Sequence, residues 1–101
     1  MINGSPRSDG ATGQILKYVQ ERMTDLEPAA EIEYVELGKH DMKCCNGCMA
    51  CYKTGHCHIK KDGLEELSRR IGECDGLIIG SPTYASNVSS QWKVLIDRGH
   101  C

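Results

Sequence analysis

Apolar and polar positions divide the chain into helix-like and strand-like stretches that alternate along its length. From Ala11 or Thr12 onward, Ile15, Leu16, Val19, Met23 and Leu26 recur at the spacing that lays one apolar stripe along a helix. Thr12 is available as its N-cap and Pro28 marks its end. Between Glu31 and Leu37, the apolar Ile32, Tyr34, Val35 and Leu37 lie among charged residues, as in a short strand with one less-buried face, and Gly38 ends it. Asp62 with Glu65 makes a capping-box-like start to a second helix, whose apolar face is Leu64, Leu67 and Ile71 and which closes around Gly72 to Asp75. The unbroken run Leu77-Ile78-Ile79, set between glycines, predicts a central parallel strand covered on both faces. Turn formers fill Ser81 to Val88, and Trp92, Leu95 and Ile96 then mark a third helix running towards Cys101. At the start, Met1, Ile2 and Asn3 read as the tail of a strand entering the turn Gly4 to Gly10. Strand, helix, strand, helix, strand, helix implies an α/β domain with a parallel sheet and right-handed crossovers.

Length allows one domain at most: 101 residues bury only about two thirds of the surface that the unfolded chain exposes. A hydrophobic share of 40%, a charged share of 26% and a net charge of −2 describe an ordinary globular protein. Lysines and arginines are scattered among a slight excess of acids, so no basic face is available to collect nucleic-acid phosphates. The start shows no charged-then-apolar leader, and no apolar stretch approaches the ~20 residues of a spanning helix. A cytoplasmic protein without membrane association is the expectation. Thiols stay reduced in that compartment, so seven cysteines point to metal, cluster or redox chemistry before disulfides.

Two loops fall where strands hand over to helices, the place where open α/β sheets bind ligands. The first offers the hydroxyls of Ser5, Ser8 and Thr12, the Arg7 guanidinium and the backbone N–H groups of a helix start. All of these suit a phosphate dianion. It has neither the Gly-Lys-Ser/Thr ending of a nucleotide loop nor Gly-x-Gly-x-x-Gly, so one phosphate is expected rather than two or three. The second loop, Ser81 to Val88, supplies backbone amides and the Tyr84 ring, which could lie along a planar heterocycle such as a flavin. The plainer alternative is that both are ordinary turns built from Gly, Ser and Pro.

Asn3-Gly4-Ser5-Pro6-Arg7, Gly80-Ser81-Pro82-Thr83-Tyr84 and Lys93-Val94-Leu95-Ile96-Asp97-Arg98 together resemble the NADPH-dependent FMN reductase and iron–sulfur flavoprotein group, and the resemblance covers essentially the whole chain. It implies a flavodoxin-like, doubly wound parallel sheet. By that resemblance Ser5, Arg7, Ser8 and Thr12 hold the FMN phosphate. Pro82, Thr83, Tyr84, Ser86, Asn87 and Val88 line the ribityl chain and the isoalloxazine.

The segment 44–57 carries Cys45-x-x-Cys48-x-x-Cys51 and then Cys57. Three bunched thiolates and a fourth further on suit a [4Fe–4S] cubane. Zinc ribbons place two Cys-x-x-Cys pairs well apart, and zinc or unligated loop cysteines remain alternatives. Cluster-bearing members of the resembled group carry a compact motif of this kind, which falls on Cys45, Cys48, Cys51 and Cys57, while flavin reductases of the group can show similar cysteines. His56 and His58 are substitute donors or simply solvated. Cys44 reads as a spare thiol, Cys74 as a small apolar packing residue, and Tyr52 and Trp92 as structural aromatics.

The group's sheet has strand order 2-1-3-4-5, and this chain carries the 2-1-3 portion, a single partial domain over residues 1–101. Its third strand is therefore expected to present an open edge and an uncovered apolar face. A fragment, a truncated reading frame or a protomer completed by another chain, most simply a homo-oligomer, is the expectation. The resemblance implies an FMN-dependent electron-transfer oxidoreductase with the cluster as relay, with NAD(P)H as electron donor and a small molecule or protein as acceptor. A cluster-free NAD(P)H-dependent FMN or quinone reductase is the near alternative, and a small zinc-binding structural module the distant one.

Overall fold

A computed structural model describes residues 1–99. The elements are β1 (Ile2–Asn3), α1 (Ala11–Leu26), β2 (Val35–Glu36), a 3₁₀ turn (Leu37–Lys39), α2 (Cys51–Thr54), α3 (Leu64–Glu73), β3 (Ile79–Gly80) and α4 (Ser90–Arg98). They form a three-stranded sheet in the order β2-β1-β3, with Ile2 opposite Val35 and Ile79, and Asn3 opposite Glu36 and Gly80, all parallel. This is the 2-1-3 portion of a flavodoxin-like sheet.

Successive strand residues point to opposite faces, and β1 shows what each face carries. Ile2 packs with Val35, Leu37, Leu64, Leu67, Trp92 and Leu95, so α3 and α4 cover one side. On the other side Asn3 meets α1, where a Cβ added at Gly13 would lie 3.1 Å from Asn3 Nδ2. Helix α1 also lies tight on β3, because a Cβ at Gly80 would meet Leu16 Cδ1 at 2.6 Å and Thr12 Cγ2 at 2.9 Å. Small residues at these two positions let helix and sheet approach closely.

Several expectations are corrected. The first helix is capped by Gly10, with Thr12 inside its first turn. Ile15 and Leu26 are exposed, because a sheet only three strands wide covers just the Gly13–Leu16 stripe. The second strand shortens to Val35–Glu36, matching the length of its partner, and Leu37 turns away into the core. Asp62 and Glu65 do not form a capping box: Gly63 is the N-cap of α3, and Glu65 pairs with Lys60 at 3.5 Å. Cys74 is exposed, its thiol donating to the Ile71 carbonyl at 3.1 Å. In place of a strand covered on both faces, β3 stands at the edge of the described sheet, leaving Leu77 at 42% and Ile79 at 54% exposure. The cysteine loop, expected to be irregular throughout, contains the short helix α2, and Cys101 lies outside the described residues.

Trp92 locks α4 to the sheet. Its indole Nε1–H donates to the Gly80 carbonyl at 3.0 Å, and its ring occupies the space that any side chain at Gly4 would need: an added Cβ would fall 1.9 Å from Trp92 Cδ1. Gly4 cannot retreat, since its N–H donates to Gly80 O at 2.8 Å and its carbonyl accepts from Ser89 Oγ at 2.6 Å. Gly4→Ala is therefore expected to cost about 1–3 kcal/mol or more, as overpacked cores do. Each kcal/mol lowers the melting temperature by roughly 4–8 °C in a domain of this size. Thermal denaturation followed by circular dichroism checks this, and an unchanged midpoint would refute the tight Gly4–Trp92 fit.

Candidate functional site

Because β1 and β3 are adjacent and parallel, the loops that leave their carboxyl ends start side by side. The Gly4–Gly80 and Gly4–Ser89 bonds fasten one to the other, and the Ser89 N–H donates to Ser81 Oγ at 3.1 Å. Ser89 itself is fully buried, which makes it the rivet between the two segments. The sequence pattern did not single it out, since a serine among turn formers carries no signal of a partner 85 residues away.

In the first loop Asn3 Oδ1 accepts from the Ser5 N–H at 2.9 Å, and Ser5 Oγ accepts from the Arg7 N–H at 3.2 Å, so the chain winds tightly towards α1. Ser5 is buried, Arg7 and Ser8 are exposed and Thr12 is half-buried. The first bond of the α1 ladder runs from the Gln14 N–H to the Gly10 carbonyl, and Gly10 has no side chain to cap the helix. The N–H groups of Ala11, Thr12 and Gly13 thus point out of the positive end of a 16-residue helix. Nearby, Lys39 and, more weakly, the Ser8 hydroxyl hold the Glu36 carboxyl below its ordinary range. Lys39 pairs with the Glu36 carboxylate and offsets its charge.

In the second loop Pro82 is half-buried and Thr83, Tyr84, Ser86, Asn87 and Val88 are exposed. Tyr84 and Asn87 exchange paired backbone bonds, each 2.9 Å, across a two-residue turn. Both residues of that turn, Ala85 at φ 47° and Ser86 at φ 61°, are left-handed without being glycine. Such conformations cost on the order of 1 kcal/mol or more each and persist where the surroundings impose them, often at ligand-binding sites. Asn87 Oδ1 is engaged by the Val88 N–H at 2.8 Å, which steadies the turn.

The cysteine loop is differently built. Cys45 and Cys48 are exposed, Cys51 opens α2 and Cys57 is half-buried. Cys48 Sγ lies 3.0 Å from His58 Nδ1, and Cys57 Sγ accepts from Arg98 Nε at 3.4 Å. Among the described residues no group of three or more His, Cys, Asp or Glu stands gathered as a metal would need. The donor set is nonetheless chemically suited, four thiols in one loop with nearby imidazoles. Burial pushes the Cys57 thiol up, but the Arg98 hydrogen bond, the Ile59 N–H and the Arg98 charge outweigh it, leaving its pKa lowered.

In the sequence Arg98 stands out only as the end of the Lys93–Arg98 motif, yet in the fold its guanidinium bonds Cys57, Lys43, Ile59 and Asp62. Its guanidinium and the Asp62 carboxylate are 2% and 1% exposed, with Nη1 2.5 Å from Oδ2. A terminal-turn arginine looks like a solvated charge in sequence, and only burial reveals it as a clasp.

A sequence model of the family described as NADPH-dependent FMN reductase matches residues 1–101. An iron–sulfur flavoprotein of Clostridioides difficile is 42% identical over 100 residues, covering 99% of this chain and 44% of that protein. One from Methanocaldococcus jannaschii is 36% identical over 97 residues, covering 96% of this chain and 49% of the relative. Another, from Archaeoglobus fulgidus, is 39% identical over 97 residues, covering 96% and 46%. The chain thus spans just under half the length of these curated relatives. No solved structure matches at the same stringency.

Asp62 makes the loop base acid-sensitive. Burial alone would raise its pKa, but hydrogen bonds from Arg98, the Lys43 N–H and the Leu64 N–H outweigh it and lower the folded value. A lowered folded pKa contributes stability above the unfolded value of about 3.9, and that contribution is lost as pH falls through the folded value. Asp62→Asn should therefore flatten the loss of stability below about pH 5. At neutral pH it should cost about 3–5 kcal/mol, because Arg98 stays buried without its carboxylate. Urea unfolding across a pH series checks both, and an unaltered acid limb would contradict the role given to Asp62.

Proposed function

The chain belongs to the NADPH-dependent FMN reductase family, and we propose that it forms the phosphate-binding side of an FMN-dependent electron-transfer flavoprotein that carries a [4Fe–4S] cluster on Cys45, Cys48, Cys51 and Cys57. The observation that carries this reading is the fastening of the Gly4 and Ser81 loops side by side at the carboxyl ends of β1 and β3. A single ligand with an anionic tail and a flat head can span that pair.

Ser5, Ser8 and Thr12 would meet the phosphate with hydroxyls, and Arg7 with its guanidinium. The free N–H groups at the head of α1 complete that cradle. Pro82, Thr83, Tyr84, Ser86, Asn87 and Val88 would flank the ribityl chain and ring, with the left-handed Ala85–Ser86 turn holding Tyr84 and Asn87 at a fixed separation. FMN, when bound, supplies the hydride and electron transfer, and the protein places it and tunes its surroundings. NAD(P)H is the donor that fits the family, with a small molecule or protein as acceptor. Residues 1–101 act as one partial flavodoxin-like domain with a cysteine-rich loop at 44–57. Among the described residues no helix is long and apolar enough to cross a membrane, and a cytoplasmic, reducing setting suits the thiols.

The decisive measurement is an anaerobic visible spectrum with iron, sulfide and zinc analysis on one sample. Flavin bands with stoichiometric iron and sulfide support the proposal. Flavin without iron selects a cluster-free reductase, and zinc without colour selects a structural module. Cys48→Ser should abolish iron retention and spare FMN. Arg7→Ala should weaken FMN binding by about 1.5–3 kcal/mol, roughly tenfold to a hundredfold in Kd, read from quenching of flavin fluorescence. Equal affinity would remove Arg7 from the phosphate site.

The exposed Leu77 and Ile79 at the β3 edge also support self-association. Sedimentation velocity should show the apparent mass rising with concentration. A monomer that stays monomeric at every concentration would exclude the homo-oligomer.

A further inference from the structure

Arg98 closes the base of the cysteine loop from a distant helix. Its Nη1 donates to the Lys43 carbonyl and to Asp62 Oδ2, each at 2.5 Å, and its Nη2 to the Ile59 carbonyl at 3.1 Å. Asp62 Oδ2 in turn accepts from the Lys43 N–H at 2.9 Å. One guanidinium therefore holds Lys43, the residue just before the cysteines, together with Ile59 and Asp62, two and five residues after the last of them in the loop. Its remaining edge, Nε, donates to Cys57 Sγ at 3.4 Å.

The other thiols are held differently. Cys45 Sγ accepts from the Gly47 N–H within its own turn, and Cys48 Sγ meets His58 inside the loop. Cys57 is the thiol tied to the helical framework, so it is the fixed corner about which the rest of the loop would close. We propose that Arg98 is a positioning residue for metal binding by Cys57, setting that sulfur against the loop base and donating a hydrogen bond to it in the loaded state. This inference rests on the cluster reading above. A planar fork can serve two carbonyls, a carboxylate and a sulfur at once, whereas a lysine ammonium, a point charge with three donors, cannot. Hydrogen bonds to a ligating sulfur raise the reduction potential of a cluster, and partners that orient ligands commonly contribute 10–100-fold to metal affinity.

The test uses the full chain, reduced and metal-free, titrated with Co²⁺ alone while thiolate-to-cobalt charge-transfer absorption is read. Arg98→Lys keeps the charge beside Asp62 but not the fork. The double variant Asp62→Asn with Arg98→Met removes both charges, so that no buried ion is left unpaired, and it carries the comparison if Arg98→Lys fails to fold by circular dichroism. Both variants should bind cobalt roughly 10–100-fold more weakly than the parent chain. After loading with iron and sulfide, Arg98→Lys should show a lower midpoint potential, a shift that a merely structural clasp would not produce. Unchanged cobalt affinity and potential overturn the role of Arg98 and leave the cluster reading standing. A parent chain with no cobalt–thiolate absorption overturns both.

Discussion

The pairing of β1 with strands on both sides is the constraint from which the rest follows. Two residues, Ile2 and Asn3, hold the register of the entire sheet. Because both ladders are parallel, the carboxyl ends of β1, β2 and β3 lie along one rim, and the chain must leave all three there. The Ser5–Thr12 loop, the Glu36–Lys39 turn and the Ser81–Val88 loop are thus neighbours by topology before any side chain contributes. A ladder this short needs support, and the buried Ile2 cluster on one face and the close α1 contact on the other provide it.

Close approach is the second theme. Gly4, Gly13 and Gly80 are places where helix or indole sits against backbone, and each lies within one turn of the site rim. The same lack of side chains that lets Trp92 reach the Gly80 carbonyl and α1 lie flat on the sheet also brings the α1 amino end up to the loops. Packing and loop position are therefore one arrangement here, and a substitution that loosens the first displaces the second.

The cysteine loop obeys a separate logic. It is long, mostly exposed and locally bonded, so its order comes from its ends. The Arg98–Asp62 pair, excluded from water and satisfied by backbone groups of Lys43, Ile59 and Leu64, closes those ends against α4. A buried pair of this kind adds little net stability compared with apolar packing, but it fixes the geometry of the loop's two ends. At the other edge of the described sheet β3 has a neighbour on one side only, which leaves Ile79 exposed.

Sequence by itself determined the order of elements, the parallel sheet and the position of the two strand-to-helix loops after β1 and β3, because hydrophobic period, turn residues and motif spacing are local properties that a linear reading captures. It also placed the thiols of 45, 48, 51 and 57 in one loop. Tertiary structure decided what depends on distant partners. Strand lengths were set by the shortness of β1, and the exposure of Ile15 and Ile79 by the width of the sheet. Asp62 was drawn from helix cap to ion pair by Arg98, and Ser89 became a rivet through Gly4. In each case a short-range preference, about 0.5–2 kcal/mol for a helix cap, was decided by partners remote in sequence, which take their places only when distant segments meet.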